Sequence, residues 1–116
     1  MNAKVHYNIA KHSSDKGNKE KAIYEYQEAI RLYNDYYQAM NNLANILKDE
    51  GKLKQAKDLL MKALKINPTF STGWMNLGIV QVLLKDYANA ETSYLIALKH
   101  RKPYPDCLYN LGNLVS

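Results

Sequence analysis

The chain has 116 residues, 47% of them apolar and 23% charged, which suits one folded domain with a modest core rather than a disordered segment. Its formal net charge of +5 is spread through mixed stretches such as "KGNKEKAIYEYQE" and "KDEGKLKQAKD", the pattern of solvated helix faces, and this argues against a nucleic-acid surface. No apolar run reaches the length of a membrane span ("LGIVQVLL" is interrupted by Gln81), and a single Cys107 leaves neither an internal disulfide nor a cysteine-rich metal site.

Taken in chain order, the first unit (3–36) reads as two helices with Gly17 at the turn between them. In the second unit (37–70), Met40, Leu43, Ala44 and Leu47 have helical spacing, so a helix is expected over about 37–50, ended by Gly51. A second helix is expected over about 53–66, with Leu53, Ala56, Leu60, Ala63 and Leu64 on one side and Asn67-Pro68 as its stop. The third unit (71–104) repeats the pattern, with Lys85-Asp86 where the others have Gly. "KHRK" at 99–102 lies where a helix should end, a position at which cations complement the helix dipole. A single further helix is expected over 106–115, so that 105–116 reads as the first helix of a truncated fourth unit.

These units are copies of one another. An offset of 34 residues aligns Asn8, Asn42, Asn76 and Asn110, then Ile9, Leu43, Leu77 and Leu111, then Ala10, Ala44, Gly78 and Gly112. Ala22, Ala56 and Ala90 coincide, as do Ala29, Ala63 and Ala97; Tyr26, Leu60 and Tyr94 share one large slot and Tyr36, Phe70 and Tyr104 another. Such a period implies stacked helix pairs that bury their faces against neighbouring copies. Small residues mark close helix approaches, and Trp74, Phe70 and Tyr94 are expected in the core beside them.

The pattern Trp74-x2-Leu77-Gly78 with Ala90, Tyr94 and Ala97, and the matching Leu43-Ala44, Gly51, Ala56, Ala63 and Pro68, resembles the tetratricopeptide repeat. The resemblance implies an all-α, right-handed superhelical solenoid of about seven helices. Asn34 and Lys102 depart from the family's usual Pro, and Pro103 is shifted by one. "AKVHYNIAK", "AMNNLANILK", "GWMNLGIVQ" and "ALKHRKPYPDCLYNLG" together resemble the lumenal repeats of the transmembrane and tetratricopeptide-repeat-containing O-mannosyltransferases, which act on cadherins. That likeness implies a non-catalytic segment in the endoplasmic reticulum lumen, with catalysis in a separate membrane domain. The polar stretch Asn2–Lys4 has no signal-peptide character, so the chain is expected to be a segment addressed from elsewhere.

In such repeats one stripe of each first helix faces a concave groove. By that resemblance the stripe holds Tyr7, Asn8 and Lys11 in the first unit and Gln38, Asn41, Asn42, Asn45 and Lys48 in the second. It holds Thr72, Met75, Asn76 and Ile79 in the third, followed by Val82 and Leu83, and Tyr109, Asn110 and Asn113 in the fourth. Asn disfavours helices, so its recurrence asks for a reason. One reading is a ladder of amides that grips the main chain of an extended peptide, resembling the asparagine ladder of the O-GlcNAc transferase superhelix. Helices about 8–10 Å apart would then engage roughly every third residue of a strand rising about 3.3 Å per residue. The other reading is that the amides bond within or between the first helices. The apolar stretch Met75, Ile79, Val82 and Leu83 is open to two readings as well: burial by curvature, or a pocket for an apolar side chain of the ligand.

Other chemistries are demoted. The chaperone-tail clamp of this repeat family would need Lys, Asn, Asn, Lys and Arg where Tyr7, Lys11, Asn42, Thr72 and Asn76 stand, and Asn42 alone fits. His6, His12 and His100 share no repeat position and no metal-ligand spacing, and neither a phosphate loop nor a nucleophile–base constellation is present. No catalytic residue, metal or cofactor is therefore expected. The expected partner is an extended polypeptide, with neither nucleic acid nor membrane contacted by this segment. Leu108, Leu111, Leu114 and Val115 predict an apolar outer helix and homodimerisation through it. The rival to peptide binding is a structural spacer or self-association scaffold.

Overall fold

The computed structural model describes residues 1–116. Seven helices follow one another: α1 (Ala3–Asp15), α2 (Lys19–Leu32), α3 (Tyr37–Asp49), α4 (Leu53–Ile66), α5 (Ser71–Leu83), α6 (Tyr87–His100) and α7 (Pro105–Val115). The second-unit helices thus fall on the predicted spans, with α3 ending at Asp49 rather than at 50. Helices pair as α1 on α2, α3 on α4 and α5 on α6, and each pair meets the next through α2–α3, α4–α5 and α6–α7. The first helices also touch along the stack, α3 with α5 and α5 with α7. The result is an elongated body of 46 × 25 × 22 Å. No helix is long and apolar enough to cross a membrane.

Local chemistry explains the boundaries. Asn2 and Asn18 cap α1 and α2, each side chain accepting from a backbone N–H three residues on. The three turns within pairs share one left-handed cap: Gly17 at φ 82°, Gly51 at φ 79° and Lys85 at φ 63°. At each, paired backbone bonds close the helix, as in Lys85 N–H to Val82 O (2.9 Å) and Asp86 N–H to Gln81 O (2.8 Å). Lys85 adopts there a conformation that suits glycine, so the third turn carries strain the other two lack.

The aligned alanines Ala22, Ala56, Ala90, Ala29, Ala63 and Ala97 are all fully buried. They let helices approach closely, and larger residues fill the remaining space. At Gly78 the approach is closer still, since an added Cβ would lie 2.5 Å from the Tyr94 ring. The main core runs from Ala10 and Tyr26 through Leu43, Leu47, Leu60 and Leu77; a smaller one gathers Tyr94, Ala97, Tyr104 and Cys107. Trp74 packs against both and donates its indole N–H to Pro68 O at 2.7 Å. Tyr94 is buried as expected, whereas Trp74 and Phe70 are half-buried at the core's margin.

The terminal helix differs in part from the expectation drawn from its sequence. Leu111 and Leu114 turn inward onto the smaller core, and Leu108 and Val115 are the exposed apolar pair.

Candidate binding groove

The side chains expected in the groove come from α1, α3, α5 and α7, but the fold treats them differently. Asn8, Lys11, Gln38, Tyr109 and Asn113 are exposed. Tyr7, Asn42, Asn45, Lys48, Thr72, Met75, Ile79 and Asn110 are half-buried. Asn41 and Asn76 are only 5% exposed and do not lie open in the groove.

The reason is a periodic set of bonds between adjacent first helices. Asn42 Nδ2 donates to the Tyr7 hydroxyl at 3.1 Å, and Asn76 Nδ2 donates to Asn41 Oδ1 at 2.8 Å. Asn41 Nδ2 in turn reaches Asn42 Oδ1 at 3.4 Å. In each case the recurring Asn donates to the residue one place before its own counterpart in the preceding unit. The acceptor position therefore reads Tyr7, Asn41, Met75. A thioether is a weak acceptor. Asn110, which faces Met75 in this scheme, makes no side-chain hydrogen bond, and its polar atoms stay open to solvent. The ladder is thus bonded within the fold at Asn42 and Asn76 and open at Asn110.

Around Tyr7 the groove is aromatic. Its ring stacks on Tyr36 with centroids 5.0 Å apart and meets Tyr26 edge-on at 5.8 Å. Lys11 Nζ sits 5.6 Å over the Tyr7 ring. Burial raises the pKa of Tyr26, partly offset by the nearby Asn42 amide, and burial with the neighbouring Tyr7 raises that of Tyr36. Tyr94 is pushed up to about 12, chiefly by burial and then by Cys107. These phenols are therefore neutral at physiological pH.

Two clefts open on this face, at positions two repeats apart. The first, about 250 Å³, lies between α1 and α3 and is lined by Lys11, Ser14, Asp15, Asn45 and Asp49 above Tyr26. The second, about 420 Å³, lies between α5 and α7 and is lined by Ile79, Val82, Leu83, Asn113 and Leu114 above Tyr94, with Asn110 at its mouth. Met75, Ile79 and Val82 also pack against the small core of Tyr94, Ala97, Tyr104 and Cys107, so curvature buries part of the apolar stretch while a cavity remains beside it. Leu83 stays 51% exposed at its edge. Sequence reasoning missed Tyr87 and Leu114 as lining residues. Leu114 corresponds by the period to Ile46, which lines the first cleft, so the two clefts share this position. No group of three His, Cys, Asp or Glu side chains is gathered where it could hold a metal.

Residues 3–36 and 37–70 each match the tetratricopeptide repeat family. Protein O-mannosyl-transferase TMTC1 of Mus musculus is 45% identical over 53 residues, which make up 46% of this chain and 6% of that protein. The UDP-N-acetylglucosamine--peptide N-acetylglucosaminyltransferase of Giardia intestinalis is 32% identical over 88 residues, covering 76% of this chain and 6% of that enzyme. The chain spans only 6% of the length of these relatives. Among solved structures, the first TPR of Spaghetti (RPAP3) bound to HSP90 peptide SRMEEVD superposes with a TM-score of 0.93. That match covers 97% of this chain and 89% of the other at 16% identity, a likeness of fold.

Proposed function

The chain belongs to the tetratricopeptide-repeat family, and from that premise we propose that its groove holds an extended polypeptide, gripped at the end formed by α5 and α7. The observation that carries this is Asn110: a half-buried amide with no partner in the fold, beside an apolar cavity of about 420 Å³. A free amide supplies both donor and acceptor for a peptide main chain, and the cavity takes one apolar side chain. Asn45, Asn113, Lys48 and Gln38 extend the contact along the groove, and Asn8, Lys11, Thr72 and Tyr109 border it. Asn41, Asn42 and Asn76, with Tyr7, fix the spacing of the first helices that present these groups. Ile79 and Val82 wall the cavity, and Met75 packs beside it on the small core. The fold likeness to a peptide-bound neighbour supports groove binding. The clamp for a C-terminal carboxylate is not built here, because Tyr7 and Thr72 stand at cationic positions and Asn42 is bonded to Tyr7.

The match to an O-mannosyl-transferase supports a role as the lumenal, non-catalytic, substrate- or partner-positioning part of such an enzyme. Screening the chain against an array of unstructured peptides tests the groove reading. The expected result is capture that tolerates sequence change except at one apolar position, and that falls roughly tenfold in Asn110→Ala. Equal capture by wild type and Asn110→Ala would overturn it. Protection of the repeat segment from protease in sealed microsomes tests the lumenal placement.

A second reading has its own observation. Leu95, Leu108 and Val115 are 50%, 55% and 60% exposed at one end of the stack, which favours self-association through α6 and α7. Light scattering at micromolar concentration decides it, with a dimer that Leu108→Asp converts to monomer as the expected result.

A further inference from the structure

A larger cleft, about 760 Å³, opens on the opposite face between α4 and α6. Its floor is the side of α5 that carries Trp74, Leu77 and Gln81. The repeat shows why it is larger and more polar than its counterpart in the second unit. In the second unit the positions corresponding to Gln81 and Ser93 are Leu47, buried in the core, and Leu59, half-buried against it, and the cleft beside them is smaller, about 370 Å³. Replacing that pair with a glutamine and a serine removes apolar volume and leaves a polar floor. Gln81 is 7% and Ser93 2% exposed, and the Ser93 hydroxyl donates to Gln81 Oε1 at 2.6 Å.

That bond engages one half of the Gln81 amide. Its nitrogen has no partner in the protein, yet no sealed polar side-chain atom is left unpaired, so the nitrogen must face the cleft. Because a serine hydroxyl can donate or accept, turning the amide over would still leave one polar half free. Open to solvent through the cleft, that nitrogen is a free donor that a ligand carbonyl can take over from water. The rim supplies the charge. Lys57, Lys62 and Lys65 line the α4 side, and none of them forms an ion pair. On the α6 side Asp86 is held by Asn89 at 2.8 Å.

We propose that this cleft is a second binding site, for a short acidic peptide segment carrying one bulky apolar side chain. The apolar side chain sits between Trp74, Leu77 and Ile96, a main-chain group meets the Gln81 amide, and flanking carboxylates meet the three lysines. Charge complementarity selects an acidic occupant. The floor amide and the polar α6 rim favour a peptide, which has donors and acceptors, over a lipid chain, which has neither.

Trp74 is the chain's single tryptophan and lines the cleft, so its emission reports occupancy directly. The probe is an acetylated peptide with a central leucine–phenylalanine pair flanked by glutamates. Controls carry lysines for the glutamates, or alanines for the central pair. The expected result is a saturable change in Trp74 emission with the acidic probe alone, weakened by salt. The triple change Lys57→Glu, Lys62→Glu, Lys65→Glu should weaken it roughly tenfold or more. Gln81→Leu with Ser93→Leu restores the second unit's pair, narrows the cleft and removes the floor amide, and should weaken the response roughly tenfold or more while raising the melting temperature. The groove on the opposite face is untouched in that variant, so its peptide binding should persist. No saturable response, an equal response to the lysine peptide, or full binding by the filled variant would each overturn the proposal. So would a response to anionic vesicles without one to the peptide, which would assign the cleft to a membrane surface.

Discussion

The cleft between α1 and α3 and the cleft between α5 and α7 are built from corresponding positions on the same backbone, yet they have opposite chemistry. Lys11, Ser14 and Asp15 in the first become Ile79, Val82 and Leu83 in the second, and Ile46 becomes Leu114. The ladder changes with them: Asn42 is bonded to Tyr7, whereas Asn110 is opposite Met75 and free. Helix packing is repeated faithfully because Ala, Leu and Tyr at the crossings are repeated. Groove chemistry is not repeated, since nothing in the packing constrains it. In a solenoid of near-identical units, ligand selectivity is therefore expected where a unit departs from its own pattern.

The largest effect should come from making the second cleft like the first. Val82→Ser with Leu83→Asp copies the residues of α1 into α5. Leu83 is half exposed but Val82 packs against the small core, so stability should fall by about 1–3 kcal/mol, and affinity is compared where the variant remains folded. An apolar ligand side chain that loses its burial forfeits about 1.5–3 kcal/mol, or roughly ten- to hundredfold in affinity. Calorimetry with an array-selected peptide measures this. Unchanged affinity would mean that the apolar cleft is a packing defect and not a binding site.

The closed and open rungs of the ladder can be told apart by stability. Asn76→Ala removes the donor to Asn41 and leaves a buried carbonyl oxygen unpaired, which costs about 1–3 kcal/mol. Ala's better helix propensity offsets only a few tenths of that. Asn110→Ala has no such bond to lose and should leave stability unchanged or slightly higher. Urea denaturation of the two variants measures the difference. Equal midpoints would remove the distinction between the rungs.

Much of this architecture was legible in the sequence, for identifiable reasons. Small residues at fixed spacing, Gly51 and the Asn67-Pro68 stop located α3 and α4 almost to the residue, because helix geometry is local. The stripe of groove positions came from the family resemblance, and the structure leaves most of its side chains exposed or half-buried. The burial of Asn41 and Asn76 was not, since a period says which way a side chain points and not how closely the next helix approaches. The free amide of Asn110 depended on the same missing distance. Gln81 and Ser93 were a different case: their departure from Leu47 and Leu59 was visible, but a polar substitution at a core position reads as a defect until a cleft is seen beside it.

A smaller effect separates the two glycines that occupy one repeat position. Adding a Cβ at Gly78 brings it within 2.5 Å of the Tyr94 ring, which is itself buried, whereas a Cβ at Gly112 meets nothing within 4 Å. Gly78→Ala should overpack the α5–α6 crossing at a cost of about 1–3 kcal/mol, reduced by the ~1 kcal/mol that Ala gains over Gly in a helix. Gly112→Ala should show the gain alone. Opposite shifts in thermal midpoint are the expected result. Two gains would show that Tyr94 moves aside freely and that the small core around it is loosely packed.

The smallest effect concerns the turn that sets how α6 follows α5. All three turns within pairs close with the same backbone bonds, so Gly17, Gly51 and Lys85 can be compared at constant geometry. Lys85 alone holds a side chain at positive φ, 63°. An L-residue in that conformation is strained by roughly 1–2 kcal/mol, whereas glycine adopts it freely but loses more conformational entropy on folding. The two terms oppose each other, and strain is the larger. Lys85→Gly should therefore stabilise the chain by about 0.5–1 kcal/mol, while Gly17→Lys and Gly51→Lys should each destabilise it by a similar amount. Lys85 is exposed and makes no ion pair, so no contact is lost to complicate the measurement. A fall in stability for Lys85→Gly would mean that entropy outweighs strain at this turn. The same experiment on Gly51→Lys would then be expected to show a gain, which makes the pair decisive for the turn's energetics.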